Sequence, residues 1–455
     1  MQQAARLKSL NKHLSGLQVA RRLGRVIGVQ GGMLSVTGLD QDARIGDRAE
    51  ITRRDGSVLH GEVVQLTPSG AIVLPDSPVA GIALADRVVL DRNAGIAPDM
   101  SWLGRIIDPD GNPLDGMPLT AGLAPRALLS QPPAAATRRP LGQRLDTGHV
   151  VFDTMLPIVR GQRIGLFAGS GVGKSSLMGR LAQVMTADVV VIAMIGERGR
   201  EVRHFADDVL GEAGRKRTIL IAATSDQSPL VRRRCAWTAM AVAEHFRDQG
   251  LSVLLLADSI TRFAEAHREV AVAAGEAPVL RGFPPSTSHM IMSLCERAGP
   301  GAHDQGDITA VFSVLVAGSD MDEPIADILR GVLDGHVVLD RTIAERGRFP
   351  AVDILRSVSR SLPSAASEEE NEIIAQIRRH MSVYSQNQMM ISAGLYSAGA
   401  DPDIDAAMQI SPAIDDAMTL THAQGCAHSF DQLKLVLRRA GAGMGGKGKL
   451  TPMRH

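Results

Sequence analysis

A lysine and a hydroxyl set directly behind a glycine-rich turn are the residues of this chain best suited to hold phosphate. In Ala168-Gly169-Ser170-Gly171-Val172-Gly173-Lys174-Ser175 the glycines let backbone N–H groups converge on phosphate oxygens. Lys174 reaches the outer phosphates, and the Ser175 hydroxyl, followed by Ser176, opens a helix as a Mg2+ ligand. Around this P-loop, Arg163 to Phe167 reads as a short buried strand and Ser176 to Ala182 has the apolar spacing of a helix. Ala168 stands where the first glycine is usually written. Its small Cβ is a mild change, because the phosphate-facing Gly171 and Gly173 are intact.

Further groups could complete a phosphoryl-transfer site. Asp258 closes the apolar run Leu251 to Ala257, the place of a carboxylate that holds Mg2+ directly or through water. Glu197 follows another apolar run, Val189 to Met194, where a carboxylate can orient water against a γ-phosphate. A solvated loop acid paired with Arg198 or Arg200 is the alternative for Glu197. Phe349, in Gly347-Arg348-Phe349-Pro350, could stack on adenine, and Arg360 could neutralise charge on the phosphoryl group. By spacing alone, Phe349 is more often a core aromatic and Arg360 a surface cation.

The elements that must position these groups fall into several domains, as a length of 455 residues suggests. An apolar content of 44% with 22% charged residues is that of a soluble globular protein. The net charge is zero and aromatics are 3%, which speaks against a nucleic-acid surface. Three scattered cysteines indicate neither a disulfide framework nor a zinc site, and a reducing cytosol fits them. No apolar run approaches the roughly 18 residues of a membrane span, and no signal peptide is visible.

Residues 1–21 are read as a basic amphipathic helix: the first acid is Asp40, and Leu7, Leu10, Leu14 and Leu17 form one stripe. Such a helix can dock on a partner, rest on an acidic membrane or pack on its own domain. Residues 22–95 carry short β-branched runs broken by turns, Asp55-Gly56 among them, and predict a small β-barrel serving assembly. Residues 96–365 form the P-loop domain, entered through an extended Pro- and Ala-rich connector at Gln131 to Ala136. Its runs alternate with helical segments, which predicts a mostly parallel sheet with ligands beyond the carboxyl ends of the strands. Residues 366–455 read as helices, beginning at the acidic Glu368-Glu369-Glu370, with a disordered Gly-rich tail from Gly441.

These motifs, together with Leu103-Gly104-Arg105, Gly196 to Glu201, Asp258 to Phe263, Arg281 to Ser286, Asp322 to Asp327 and Phe349 to Asp353, resemble the hexameric ATPase of the bacterial flagellar type III export apparatus. That family is related to the catalytic subunit of rotary ATP synthases. The resemblance runs from about residue 22 to 440 and is most specific between 150 and 365. It implies an α/β fold with a RecA-like P-loop nucleotide domain, an N-terminal small β-barrel and a C-terminal helical domain. It also implies Mg2+-dependent ATP hydrolysis in a homohexamer at the cytoplasmic face of the inner-membrane export apparatus. Glu197, with Arg198 beside it, would be catalytic together with Lys174, Asp258 would hold Mg2+, Phe349 would contact adenine, and Arg360 would reach a neighbour's site. Its implied partners are a stator-like regulatory dimer on the N-terminal helix, export chaperone-substrate complexes and the export gate. The departures from the family pattern are Ala168 and Thr287-Ser288-His289. A virulence injectisome ATPase would share the chemistry. A non-catalytic subunit of a rotary ATPase would lack Glu197.

Overall fold

The structure is a computed structural model that describes residues 22–91, 95–279, 281–316, 321–422 and 424–444. The expected N-terminal helix at residues 1–21 lies outside the described residues.

Six strands, β1 (Gly24–Gln30), β2 (Met33–Thr37), β3 (Arg48–Thr52), β4 (Val58–Thr67), β5 (Gly70–Pro75) and β6 (Arg87–Asp91), close into a barrel in the order β1-β2-β5-β4-β3-β6. Alternate residues such as Leu34, Val36, Ile51, Leu59, Val63 and Val73 fill it, as period-2 patterning requires. Asp55-Gly56 makes the expected turn between β3 and β4. Asp55 Oδ1 accepts from the Ser57 amide at 2.8 Å, and the Ser57 carbonyl accepts from the Arg53 amide at 2.9 Å. Ion pairs tie the barrel to the next domain, Arg233 to Glu62 at 2.6 Å and Arg48 to Asp110 at 3.2 Å, and within that domain Arg234 also pairs with Asp110 at 2.7 Å.

The connector is extended but not free. A 3-10 turn at Ala135–Thr137 interrupts it. Arg297 and Glu244, both buried, form a bidentate pair at 2.8 and 2.9 Å and then bond outward. Arg297 donates to the Leu128 carbonyl, and Glu244 accepts from Ser130 Oγ. Two buried charges stay paired here because each also satisfies a polar group of the passing chain.

The nucleotide domain is built on nine strands. They are β7 (Ile106–Ile107), β8 (Arg163–Ala168), β9 (Val189–Glu197), β10 (Thr218–Thr224), β11 (Ser252–Asp258), β12 (Gly299–Pro300), β13 (Asp307–Leu315), β14 (Gly335–Leu339) and β15 (Val352–Ser359). The path runs β15-β14-β8-β13-β11-β9-β10-β7, with β12 paired to β13. Neighbours from β14 to β7 are parallel, and β15 is antiparallel to β14. The central strands are buried along their length except at Glu197 and Leu315, which end β9 and β13, as expected where helices cover both faces. Among those helices are α1 (Lys174–Val184), α2 (Gly199–His204), α3 (Pro229–Arg247), α4 (Ile260–Ala273), α5 (Ser286–Arg297) and α6 (Pro324–Val332).

The C-terminal domain comprises α7 (Glu368–Ser392), α8 (Pro402–Thr419) and α9 (Gly425–Met444). A capping box starts α7: Ser367 Oγ accepts from the Glu370 amide, and the Glu370 carboxylate accepts from the Ser367 amide. Such a cap contributes about 1 kcal/mol. Ile373, Ile374 and Ile377, spaced for one helical face, are buried in the core shared with the nucleotide domain. The helix α9 runs to Met444, into the stretch read as a disordered tail from Gly441.

Candidate active site at the carboxyl ends of the sheet

The site is assembled by strand order. With β13 seated between β8 and β11, and β9 on the far side of β11, Ala168, Asp258 and Glu197 all end strands on one edge of the sheet. Ligands of open α/β sheets bind at this edge.

The P-loop leaves β8 at Ala168, whose Cβ lies in the core at 1% exposure. Ala168 thus belongs to the strand and not to the phosphate-facing surface, which explains why glycine is dispensable there. Val172 is also buried and anchors the loop from below, while Ser170, Gly171, Ser175 and Ser176 are exposed. Gly173 precedes α1 with φ +84, and a Cβ there would meet the Phe349 ring at 3.1 Å. Both conditions require glycine. The first turn of α1 therefore aims its unpaired amides at the loop's open face, an anion site.

Lys174 Nζ bonds Asp258 Oδ1, and Ser313 Oγ donates to the same oxygen at 2.6 Å. Both ends of the ion pair are largely buried, with side-chain exposures of 12% and 8%. Ser313, on β13, was not singled out from the sequence. The apolar run Ile308 to Leu315 that carries it is the signal that could have found it.

Glu197 is half-buried at the end of β9, after Gly196 at φ +70. Its carboxyl is pushed up to about 7. Burial is the main cause, followed by the charge of Asp258 and a hydrogen bond with Glu201, against which Lys174 acts. Arg198 is exposed and pairs with Glu201 at 3.7 Å. The paired loop acid considered for Glu197 is therefore not what the structure holds. A carboxyl poised near neutrality beside a phosphate-binding loop suits a group that takes a proton from water.

Phe349 is half-exposed, not core, and its ring faces Gly173. It borders a pocket of about 660 Å3 whose lining also includes Tyr384, Gln388 and Asp415 of the C-terminal domain. Arg360 lies elsewhere. Strand β14 runs parallel to β8 with Leu339 opposite Ala168, and β15 returns antiparallel with Val352 opposite Leu339 and Ser359 opposite Gly335. The eight residues of β15 thus carry the chain about 23 Å away from the P-loop. There Arg360 is exposed, and its Nη2 donates to the Arg330 carbonyl at 3.0 Å.

Among the described residues no group of three His, Cys, Asp or Glu side chains could hold a metal. One hydroxyl and one carboxylate, Ser175 and Asp258, fit a hard cation such as Mg2+ that keeps waters and takes its remaining ligands from phosphate. In the structure Asp258 is paired with the ammonium of Lys174.

Fold and site together define a RecA-like P-loop enzyme that hydrolyses ATP. The nucleotide-binding domain model of the ATP synthase alpha/beta family matches residues 148–359, and the model of the T3SS EscN ATPase C-terminal domain matches residues 366–430. The chain is 45% identical to the flagellum-specific ATP synthase of Caulobacter vibrioides over 424 residues, covering 91% of this chain and 96% of that protein. It is 39% identical to the type 3 secretion system ATPase of Xanthomonas euvesicatoria, covering 90% and 92%. The structure of the assembled ATPase EscN from the enteropathogenic E. coli type III secretion system superposes with a TM-score of 0.83 at 35% identity, covering 91% of this chain and all of that one. The chain belongs to the flagellum-specific ATP synthases of the ATP synthase alpha/beta family, as its motifs suggested.

Proposed function

We propose that this chain hydrolyses Mg2+-ATP in a homohexameric ring and that the ring serves export of flagellar proteins through a type III apparatus. The observation that carries the chemistry is the convergence of Lys174, Asp258 and Glu197 beside the glycine-rich loop. The names of the relatives carry the export role, and the match to a flagellum-specific protein is higher than that to the secretion-system ATPase. No helix among the described residues is long and apolar enough to cross a membrane. A cytoplasmic ring docked peripherally at the inner-membrane apparatus accords with that. The remaining partners follow by family: the stator-like dimer and the acidic membrane for residues 1–21, and chaperone-substrate complexes and the export gate for the ring.

The amides of Gly171 to Ser175 cradle the β- and γ-phosphates of ATP. Lys174 leaves Asp258 for the phosphate oxygens, and Ser175 and Asp258 are the residues that would hold Mg2+. The metal, when bound with the nucleotide, neutralises charge on the phosphate oxygens. Phe349 stacks on the base. Glu197 orients a water molecule in line with the γ-phosphorus and accepts its proton as the new P–O bond forms and the bond to ADP breaks. Arg360 of the adjacent subunit stabilises charge on the phosphoryl oxygens.

The test separates binding from turnover. Glu197→Gln is expected to bind Mg2+-ATP like the parent while steady-state turnover falls about 10²-fold or more. Lys174→Ala is expected to weaken nucleotide binding itself. A Glu197→Gln enzyme with unchanged turnover would overturn the catalytic assignment.

A further inference from the structure

Phe349 faces the P-loop, yet little around it holds it there. The stretch that carries it, Gly347 to Pro350, lies between the short helix Arg341–Glu345 and β15. Gly347 takes φ +77, and half of the Phe349 surface is open. The restraint comes from the preceding residue. Arg348 Nη1 bonds Asp415 Oδ1, and Arg348 Nη2 donates to the Val352 carbonyl. The Arg348 side chain is only 12% exposed and its buried Nε has no partner, while Asp415 projects from α8 and is 51% exposed. The guanidinium is therefore fixed on one side to its own strand and on the other to a different domain.

Nearby acids are engaged differently. Asp340 Oδ1 accepts from the Thr342 and Ile343 amides, and Asp353 Oδ1 accepts from the Leu355 and Arg356 amides. Without Asp415, Arg348 keeps the Val352 carbonyl alone among these contacts, and the Phe349 stretch loses its tie to the C-terminal domain. Arg348, Phe349 and Asp415 also line the same pocket, so a shift of α8 relative to the sheet would move the aromatic ring.

We infer that Asp415 is a positioning residue for the nucleotide site: through Arg348 it holds Phe349 over the P-loop, so the placement of the C-terminal helical domain sets affinity for the base of the nucleotide. This rests on the reading of Phe349 as the base-contacting ring. A half-exposed ion pair contributes little to global stability. Its leverage is geometric, because a ring displaced by an ångström loses its stack while the phosphate cradle is untouched.

The test compares two ligands on the full-length protein with Mg2+: ATP, which carries a base, and inorganic tripolyphosphate, which does not. Asp415→Asn is expected to weaken ATP binding by about 3- to 10-fold and leave tripolyphosphate binding unchanged. KM for ATP rises and kcat at saturation is kept. Asp415→Glu should recover most of the loss, and Arg348→Gln with Asp415→Asn should be no worse than the more damaging of the two alone, as for a single shared contact. Phe349→Ala, measured in parallel, should show the same selectivity for ATP. If Phe349→Ala weakens ATP binding and Asp415→Asn does not, the positioning role falls while the base site stands. If Phe349→Ala has no effect, both fall. If Asp415→Asn weakens both ligands alike, its role is general packing and the inference is overturned. Should Asp415→Asn melt early, Asp415→Ser, read by the same ratio of affinities, decides in its place.

Discussion

The proposed role of Arg360 would tie chemistry to assembly, and its position makes a sharp demand. Arg360 follows β15, whose last residue Ser359 lies opposite Gly335, whereas the P-loop begins beyond Ala168, level with the start of β15. The separation of about 23 Å exceeds what an arginine side chain spans, so any contact with a γ-phosphate must be made in the next subunit. Reaching it requires release from the Arg330 carbonyl, a loss of about 1 kcal/mol. Against this, an arginine that meets developing phosphoryl charge contributes about 10³-fold or more, or about 4 kcal/mol. The balance favours the shared site once rings form. Arg360→Ala is thus expected to bind ATP and assemble but turn over at about 10⁻³ of the parent rate or less. In an equal mixture with Lys174→Ala, random assembly gives about a quarter of head-to-tail interfaces an intact loop facing an intact arginine. Steady-state ATPase activity of such mixed rings, alongside each variant alone and with sizing to confirm co-assembly, reads the recovery directly. Full activity of a dilute monomer, or no recovery in rings shown to contain both chains, would refute action in trans.

Other expectations follow from the same geometry. Because the Glu197 carboxyl is pushed up to about 7 and must be ionised to take a proton, kcat/KM should rise with pH through about 7 in the nucleotide-free enzyme's profile. Glu197→Gln should lack that limb, and an identical limb in the variant would assign the titration elsewhere. Burial pushes His149 and His267 down to about 4 from an ordinary 6.5, with Arg180 and Arg233 adding to the effect respectively. The unfolded chain then binds more protons between pH 6.5 and 4, so their contribution to stability is full above 6.5 and is lost as pH falls through that window. Thermal melts of the parent against His267→Gln over pH 4–7 measure it, and equal slopes would contradict it. Gly173→Ala should cost nucleotide affinity, since φ +84 penalises a Cβ by about 1–2 kcal/mol and the new methyl meets the Phe349 ring at 3.1 Å. Equilibrium ATP binding checks this, and wild-type affinity would show the loop to be laxer than its geometry.

The phosphate loop was legible from residue types because its chemistry is local. A strand, three glycines, a lysine and a hydroxyl within a dozen positions dictate converging amides wherever they occur. The barrel was legible for a similar reason, since alternation and turn residues act over a few positions, and its β-branched runs are strands. Ile373, Ile374 and Ile377 declared a buried helical face in the same way. Strand order was not local. It brought Glu197 and Asp258, 61 residues apart in sequence, into one electrostatic field and set Ser313 on Asp258 from a strand between β8 and β11. The antiparallel return of β15 put Phe349 at the phosphate edge and Arg360 at the opposite one, although only ten residues separate them. Nothing in the sequence links Arg348 to Asp415, 67 residues apart, whose pairing comes from the placement of α8. Short-range sequence determines which groups can hold a phosphate. Which carboxylate, ring or cation faces it depends on long-range pairing and domain packing, whose energies are sums over contacts that no window of the chain contains.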